Sequence, residues 1–144
     1  MVLSKGCVYT IRAVIYMALN ADKTFFPIRE LSQTLDISHH FLTKNLQILT
    51  QAGLIESEKG PRGGVAFKMD TDQIKVFDIV NAIDGIKIFD NCLLGHPTCN
   101  DLNPCSLHKL WKVSVKRLQE GFIQTSLSEL ANDIKNKQVQ FFIE

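Results

Sequence analysis

No run of about 18 apolar residues occurs in this sequence, so no membrane-spanning helix and no membrane partner are expected. A secretory signal pattern is missing as well. Lys5 and Arg12 interrupt the apolar positions near the N-terminus, and no small-residue cleavage site follows. A cytoplasmic location is therefore the expectation, and four cysteines in such a chain argue against a disulfide framework. Charge of one sign is also lacking: the formal net charge of +1 does not announce nucleic acid. Internal repeats are absent. No nucleophile and base stand at a recognisable catalytic spacing. The stretch from Lys59 to Gly64 resembles a phosphate-binding loop only in glycine content, because no helix follows it. An enzyme is not expected.

What the sequence has is a chain of 144 residues, 45% hydrophobic, enough for one domain with a real core. Its organising stretch is residues 31–69. Leu31 and Leu35 close one helix, Asp36, Ile37 and Ser38 make a tight turn, and Ser38 is a good N-cap for the helix that follows. In that second helix Leu42, Leu46 and Leu49 form one apolar stripe. His40, Thr43, Lys44 and Gln47 repeat the spacing on the other side. All four can donate hydrogen bonds and none is acidic, which suits the acceptors of a DNA major groove. Gly53 ends the helix, and residues 54–57 and 65–69 read as a hairpin with Lys59 and Arg62 at a glycine-rich tip. A basic hairpin directly after a helix-turn-helix is the pattern of a winged helix. Residues 1–69 hold eight basic against five acidic side chains, a local bias toward phosphate.

The remaining chain reads as follows. Residues 7–20 form an amphipathic helix on Val8, Ile11, Ile15 and Ala18. Phe25 and Phe26 precede Pro27 and read as extended, and Pro27 opens the helix carrying Ile28, Leu31 and Leu35. Asp72 caps a helix over residues 73–84, ended by Gly85. Residues 86–105 have no helical period. Ser106 then caps a long helix in which Trp111, Val115, Leu118, Phe122 and Thr125 step by 4, 3, 4, 3, the seam of a coiled coil. That seam either packs on its own domain or meets a second copy. Ser126 and Glu129 form a capping box for a last helix to about residue 135, and residues 138–144 receive no assignment. The expected fold is mainly α with a small β-hairpin: a winged helix-turn-helix over residues 1–85, a cysteine-rich loop over 86–105, and a dimerisation helix with tail over 106–144.

Cys92, Cys99 and Cys105 crowd into that loop with spacing C-x6-C-x5-C, and His108 follows after two more residues. Thiolates are soft ligands for iron–sulfur clusters or zinc, and His108 would add a fourth ligand from the first turn of a helix. A structural zinc site would more often show a tight C-x2-C knuckle, which is missing here. Metal-free redox thiols are a third reading. His96, before Pro97, reads as an exposed loop histidine, and Cys7 as a buried core thiol.

At this point the residues resemble a family, the IscR/NsrR-type winged-helix regulators of bacteria. The carrying pieces are residues 9–18, 28–31, 36–38, 46–54 and 59–64, with the three-cysteine loop. The resemblance covers nearly the whole chain. It implies a homodimer held by the long helix through Trp111, Val115, Leu118 and Phe122, bound to palindromic double-stranded DNA. With the helix face and wing read above, Ser38, His39, His40, Thr43, Lys44, Gln47, Lys59 and Arg62 are the expected DNA-facing set. The resemblance implies an iron–sulfur cluster on the three cysteines, [2Fe–2S] rather than [4Fe–4S], with His108 as the fourth ligand. NsrR-like members complete a [4Fe–4S] cluster with a carboxylate from the partner's first helix; Val8 stands at the matching position and cannot ligate, whereas Cys7 beside it could. A metal-free regulator acting through a protein or small ligand, and an iron–sulfur electron carrier, are the alternatives.

Overall fold

Ser4 fastens the N-terminus of the first helix at two points. Its hydroxyl accepts the Cys7 N–H at 3.1 Å, and its own N–H and hydroxyl donate to the Asp84 carboxylate. Helix α1 runs Lys5–Leu19 in this computed structural model, which describes residues 2–137. It begins two residues before the expected start. Its buried face is Cys7, Thr10, Ala13, Val14, Met17 and Ala18, while Val8, Ile11 and Ile15 are only half-buried. The stripe is rotated from the expected one because α1 is a central helix with neighbours on several sides. Thr10 tolerates full burial because its hydroxyl donates to the Gly6 carbonyl at 2.6 Å.

Helix α2, Ile28–Leu35, follows Pro27 and buries Leu31 and Leu35. Asp36 then takes a left-handed conformation, φ 52°, and the Ser32 hydroxyl donates to the Ile37 carbonyl at 2.6 Å. Those two features fix the turn into α3, His39–Gln51. Leu42, Leu46 and Leu49 are buried as the stripe requires, each worth roughly 1.5–3 kcal/mol on transfer from water. Gly53, φ 78°, stops the helix just past its C-cap. The hairpin pairs β1, Ile55–Glu58, with β2, Gly64–Phe67, antiparallel, Ile55 opposite Phe67 and Glu58 opposite Gly64. Phe26 adds a single bridge to Val65, so the extended segment before Pro27 lies along the free side of β2. Gly64 has φ 141°, and a Cβ there would sit 2.2 Å from the Phe26 carbonyl oxygen. Only glycine fits that crossing.

Helix α4 is Val76–Ile83, shorter than the expected 73–84. Asp72 does not cap it. Residues 74–75 are extended instead, because the chain returning after the long helix pairs with them: Val76 N–H donates to Thr125 O and Leu127 N–H to Ile74 O, both 2.9 Å. The Asp78 carboxylate caps α4 by accepting the Lys75 N–H at 2.8 Å. A short 3-10 turn, Ile86–Phe89, opens the segment that was expected to lack helical character. Helix α5 spans His108–Gln124 and α6 spans Leu127–Lys135 with the expected Ser126/Glu129 capping box. Ser106 does not cap α5; Leu107 precedes it with no side-chain cap. The tail 138–144 lies outside the described residues.

Among the described residues two apolar cores result. The first joins α1, α2, α3 and the sheet and takes in Leu127 of α6. The second gathers Cys7, Val76, Val80, Phe89 and Val115, with Trp111, Phe77 and Phe122 packed against it. Within the single chain the seam of α5 faces its own domain. Val115 is buried, and Trp111 and Phe122 pack on their own domain, while Leu118 is half-buried. A heptad seam needs only an apolar counter-surface, and here Phe89 supplies it, stacked on Phe77 at 6.1 Å and edge-on to Phe122 at 6.2 Å. The exposed apolar residues of α5 are Leu110, Val113 and Ile123. Among the described residues, no helix is long and apolar enough to cross a membrane.

Candidate metal centre and nucleic-acid interface

The cysteine loop is anchored at both ends. Phe89, three residues before Cys92, is wedged into the second core. On the far side the Trp111 indole N–H donates to the Asn91 carbonyl at 2.8 Å, so α5 holds the loop's first residues as well as its last. Between these anchors the chain folds back on itself. The Sγ atoms of Cys92, Cys99 and Cys105 all lie within 4.8 Å of one another. Cys92 Sγ is 3.6 Å from Cys105 Sγ, and Cys99 Sγ accepts the Cys105 N–H at 3.4 Å. His108, in the first turn of α5, brings Nδ1 to 3.2 Å from Cys99 Sγ. The sequence-expected ligands therefore converge, with His108 touching the thiol group at Cys99. His96 stays exposed with Nδ1 on the Thr98 hydroxyl.

The thiols differ in acidity. Backbone N–H groups, that of His96 first, bring Cys92 down to about 7 from the usual 9.0. At Cys99 the Cys105 N–H favours the thiolate, but desolvation and the two neighbouring thiols outweigh it and push the group up. Cys7 differs in kind: burial first, then the Asp84 carboxylate, push it up to about 12. It is fully buried among Val76, Val80, Phe89 and Val115, a packing position and not a ligand facing a partner.

Two further side chains join the site that the sequence analysis did not single out as ligand partners. Asp101 accepts from His108 Nε2 at 2.9 Å and from Lys112 Nζ at 2.6 and 2.7 Å. Lys112 first, then His108, hold its carboxyl below the usual range. The i, i+4 spacing of His108 and Lys112 was visible in the sequence; the loop carboxylate that meets both was not. A cavity of about 240 Å³ opens beside the sulfurs, lined by Cys92, Cys99, Asp101, His108, Trp111 and Lys112 among others. The donor set fits a soft metal group. Thiolates sharing a tetrahedral metal with bonds of about 2.3 Å stand roughly 3.8 Å apart, near the Cys92–Cys105 separation. Three thiolates and an imidazole suit iron–sulfur clusters or zinc and not hard cations.

On the helix-turn-helix and wing, Ser38, His39, His40, Lys44 and Gln47 are exposed along the outer face of α3, and Lys59 and Arg62 are exposed at the hairpin tip. Ser38 Oγ accepts the Phe41 N–H at 3.4 Å as an N-cap. Thr43 is half-buried and its hydroxyl donates to the His39 carbonyl at 2.7 Å, so its proton is spent within the helix. The ion pairs found among the described residues are Lys23–Glu30, His108–Asp101 and Lys112–Asp101. None involves Lys44, Lys59 or Arg62. Asn45, on the inner face of α3, is buried, and a Cβ on Gly6 would come within 3.0 Å of its Oδ1, so α1 and α3 meet closely there.

Comparison with known proteins agrees with this layout. The Rrf2 family, described as an iron-dependent transcriptional regulator, matches residues 3–133. The HTH-type transcriptional regulator IscR of Cronobacter sakazakii is 31% identical over 130 residues, covering 90% of this chain and 79% of that protein. Among solved structures, T. potens IscR superposes with a TM-score of 0.74 at 18% identity, covering 96% of this chain and 91% of that one. CymR, the global cysteine regulator of B. subtilis, gives 0.72 at 23% identity, covering 90% and 95%. The two structures share the mostly helical winged-helix fold. With its family match running through the helix-turn-helix, the wing and the cysteine loop, the chain belongs to the Rrf2 family of transcriptional regulators.

Proposed function

We propose that this regulator is a homodimer that binds a near-palindromic operator, and that an iron–sulfur cluster on Cys92, Cys99, Cys105 and His108 sets its affinity for that operator. The observation that carries the reading is the convergence of three thiols within 4.8 Å on a loop fastened to both α5 and the second core. The cluster, when bound, would supply a redox-active group that releases its ligands on oxidation or loss. With one imidazole among the ligands, a [2Fe–2S] centre is the favoured form.

The chain's own residues do the rest. Each α3 lies in a major groove, with His40 and Gln47 toward base edges and Ser38, His39, Thr43, Lys44 and Lys59 toward the backbone. Thr43 contacts phosphate through its methyl side or a water, since its proton is committed to His39. Arg62 enters the adjoining minor groove, where potential is most negative. A two-fold dimer reads half-sites about 34 Å apart or a multiple of that. Its contact face on α5 is the exposed one, where Leu110, Val113, Arg117 and Gly121 fall together by helical spacing, opposite the inward Trp111, Val115 and Phe122. The cysteine loop joins α4 to α5, so ordering it fixes where α5 stands relative to the DNA-reading head.

The test selects binding fragments from genomic DNA and titrates one with cluster-loaded and cluster-free protein at fixed salt. A change of tenfold or more in Kd on cluster loss is expected. Equal affinity in both forms would contradict control by the cluster, and failure to select any fragment would contradict operator binding itself.

A further inference from the structure

His108 presents two nitrogens to two different worlds. Nδ1 faces the thiols, 3.2 Å from Cys99 Sγ, and Nε2 faces away, 2.9 Å from Asp101 Oδ1. A neutral imidazole has one N–H, and a carboxylate can only accept. In the neutral form, the only form that can ligate, the carboxylate contact puts that N–H on Nε2 and leaves the Nδ1 lone pair toward the sulfur group. Asp101 is itself held. Lys112 donates to both its oxygens, and Lys112 stands one helical turn beyond His108 on α5. From the loop side, Asn100 Oδ1 accepts the N–H groups of Leu102 and Asn103, both at 2.9 Å, which presets the turn that displays Asp101. A carboxylate on the outer nitrogen of a metal-binding histidine fixes its tautomer and ring rotation and makes the inner nitrogen a better donor.

We infer that His108 ligates through Nδ1 and that Asp101, clamped by Lys112, is the positioning residue that makes it do so. The inference rests on the cluster reading above. It is not an argument from ion-pair stability: Asp101 is 67% and Lys112 60% exposed, and such surface pairs are worth little in themselves. What the clamp contributes is direction. It also ties the loop to the first turn of α5 at a point between the second and third cysteines, a fastening distinct from the Phe89 and Trp111 anchors.

The test uses full-length protein purified without air, carrying histidine labelled with 15N at Nδ1 or at Nε2. Pulsed electron paramagnetic resonance of the reduced cluster reads which nitrogen couples strongly, and the rate of cluster loss to an iron chelator reads how firmly it is held. Wild type is expected to couple through Nδ1. Asp101→Ala should split that coupling into a mixture and speed cluster loss roughly 10- to 100-fold. Lys112→Met, which keeps the acceptor and loses the clamp, should fall between. Asp101→Asn, which keeps an acceptor oxygen, should recover part of the lifetime. Circular dichroism and melting of Asp101→Ala should match wild type, because the side chain is exposed. Strong Nε2 coupling, a cluster with no nitrogen coupling, or an Asp101→Ala variant identical to wild type in both readouts would overturn the inference and leave the cluster itself standing. Wild type free of iron would overturn both.

Discussion

Cys7 and Cys92 carry the same side chain in opposite surroundings. Cys7 is fully buried, with its thiol pushed up to about 12 by burial and the Asp84 carboxylate. Cys92 sits in the loop under backbone N–H groups that bring it down to about 7. In chelator-treated protein at pH 8, iodoacetamide should therefore modify Cys92 first and Cys7 last, with Cys7 following the rate of global unfolding. Mass spectrometry of the alkylated peptides reads the order; comparable rates at the two sites would mean that Cys7 is not in the core. The raised value at Cys7 also carries a sign. The folded state holds that proton more tightly than the unfolded one, so the associated stability is intact below the ordinary value of 9.0 and is lost as pH rises toward 12. A Cys7→Ala variant should lack that alkaline decline in chemical denaturation. At this scale the sequence was an uneven guide. The convergence of the three cysteines stood in plain view because thiols at loop spacing have few other uses. Asp101 was hidden, because its meeting with His108 and Lys112 depends on how an aperiodic turn folds back on α5.

At the scale of elements, α3 and the hairpin are where sequence and structure agree best. Leu42, Leu46 and Leu49 face inward, Ser38 caps, and Gly53 stops the helix, all within local reach of the chain. A Lys44→Ala change on this helix should weaken binding to every DNA sequence alike and reduce the slope of log affinity against log salt by about 0.9. Filter binding or anisotropy at several salt concentrations measures both; an unchanged slope would take Lys44 off the phosphates. Elements set by distant partners were harder to read. Asp72 looked like a helix cap, yet residues 74–75 stay extended because residues 125–127 pair with them some fifty positions later. The 4, 3, 4, 3 seam of α5 was legible as apolar, but periodicity does not say what an apolar face meets. Phe89, in a stretch without period, is what turned it inward.

At the scale of the molecule, one chain carries a winged-helix head, a three-cysteine loop and an outward helix face, joined among the described residues through two cores that share α1, α4 and α6. The dimer is the proposal that links them. Because Leu110 and Val113 are 65% and 66% exposed, replacing both with Glu should leave the melting temperature nearly unchanged while shifting the protein to monomer in sedimentation and abolishing tight operator binding. A variant that stays dimeric would place the contact elsewhere. The claim on which the account turns is the cluster, and its most direct test is the visible absorption spectrum, with iron and sulfide counts, of wild-type and Cys99→Ala protein purified without air. The account predicts a coloured wild type with matched iron and sulfide, near two of each per chain, and a colourless variant. A colourless, iron-free wild type would contradict it and leave a winged-helix regulator whose three thiols serve zinc or no metal at all.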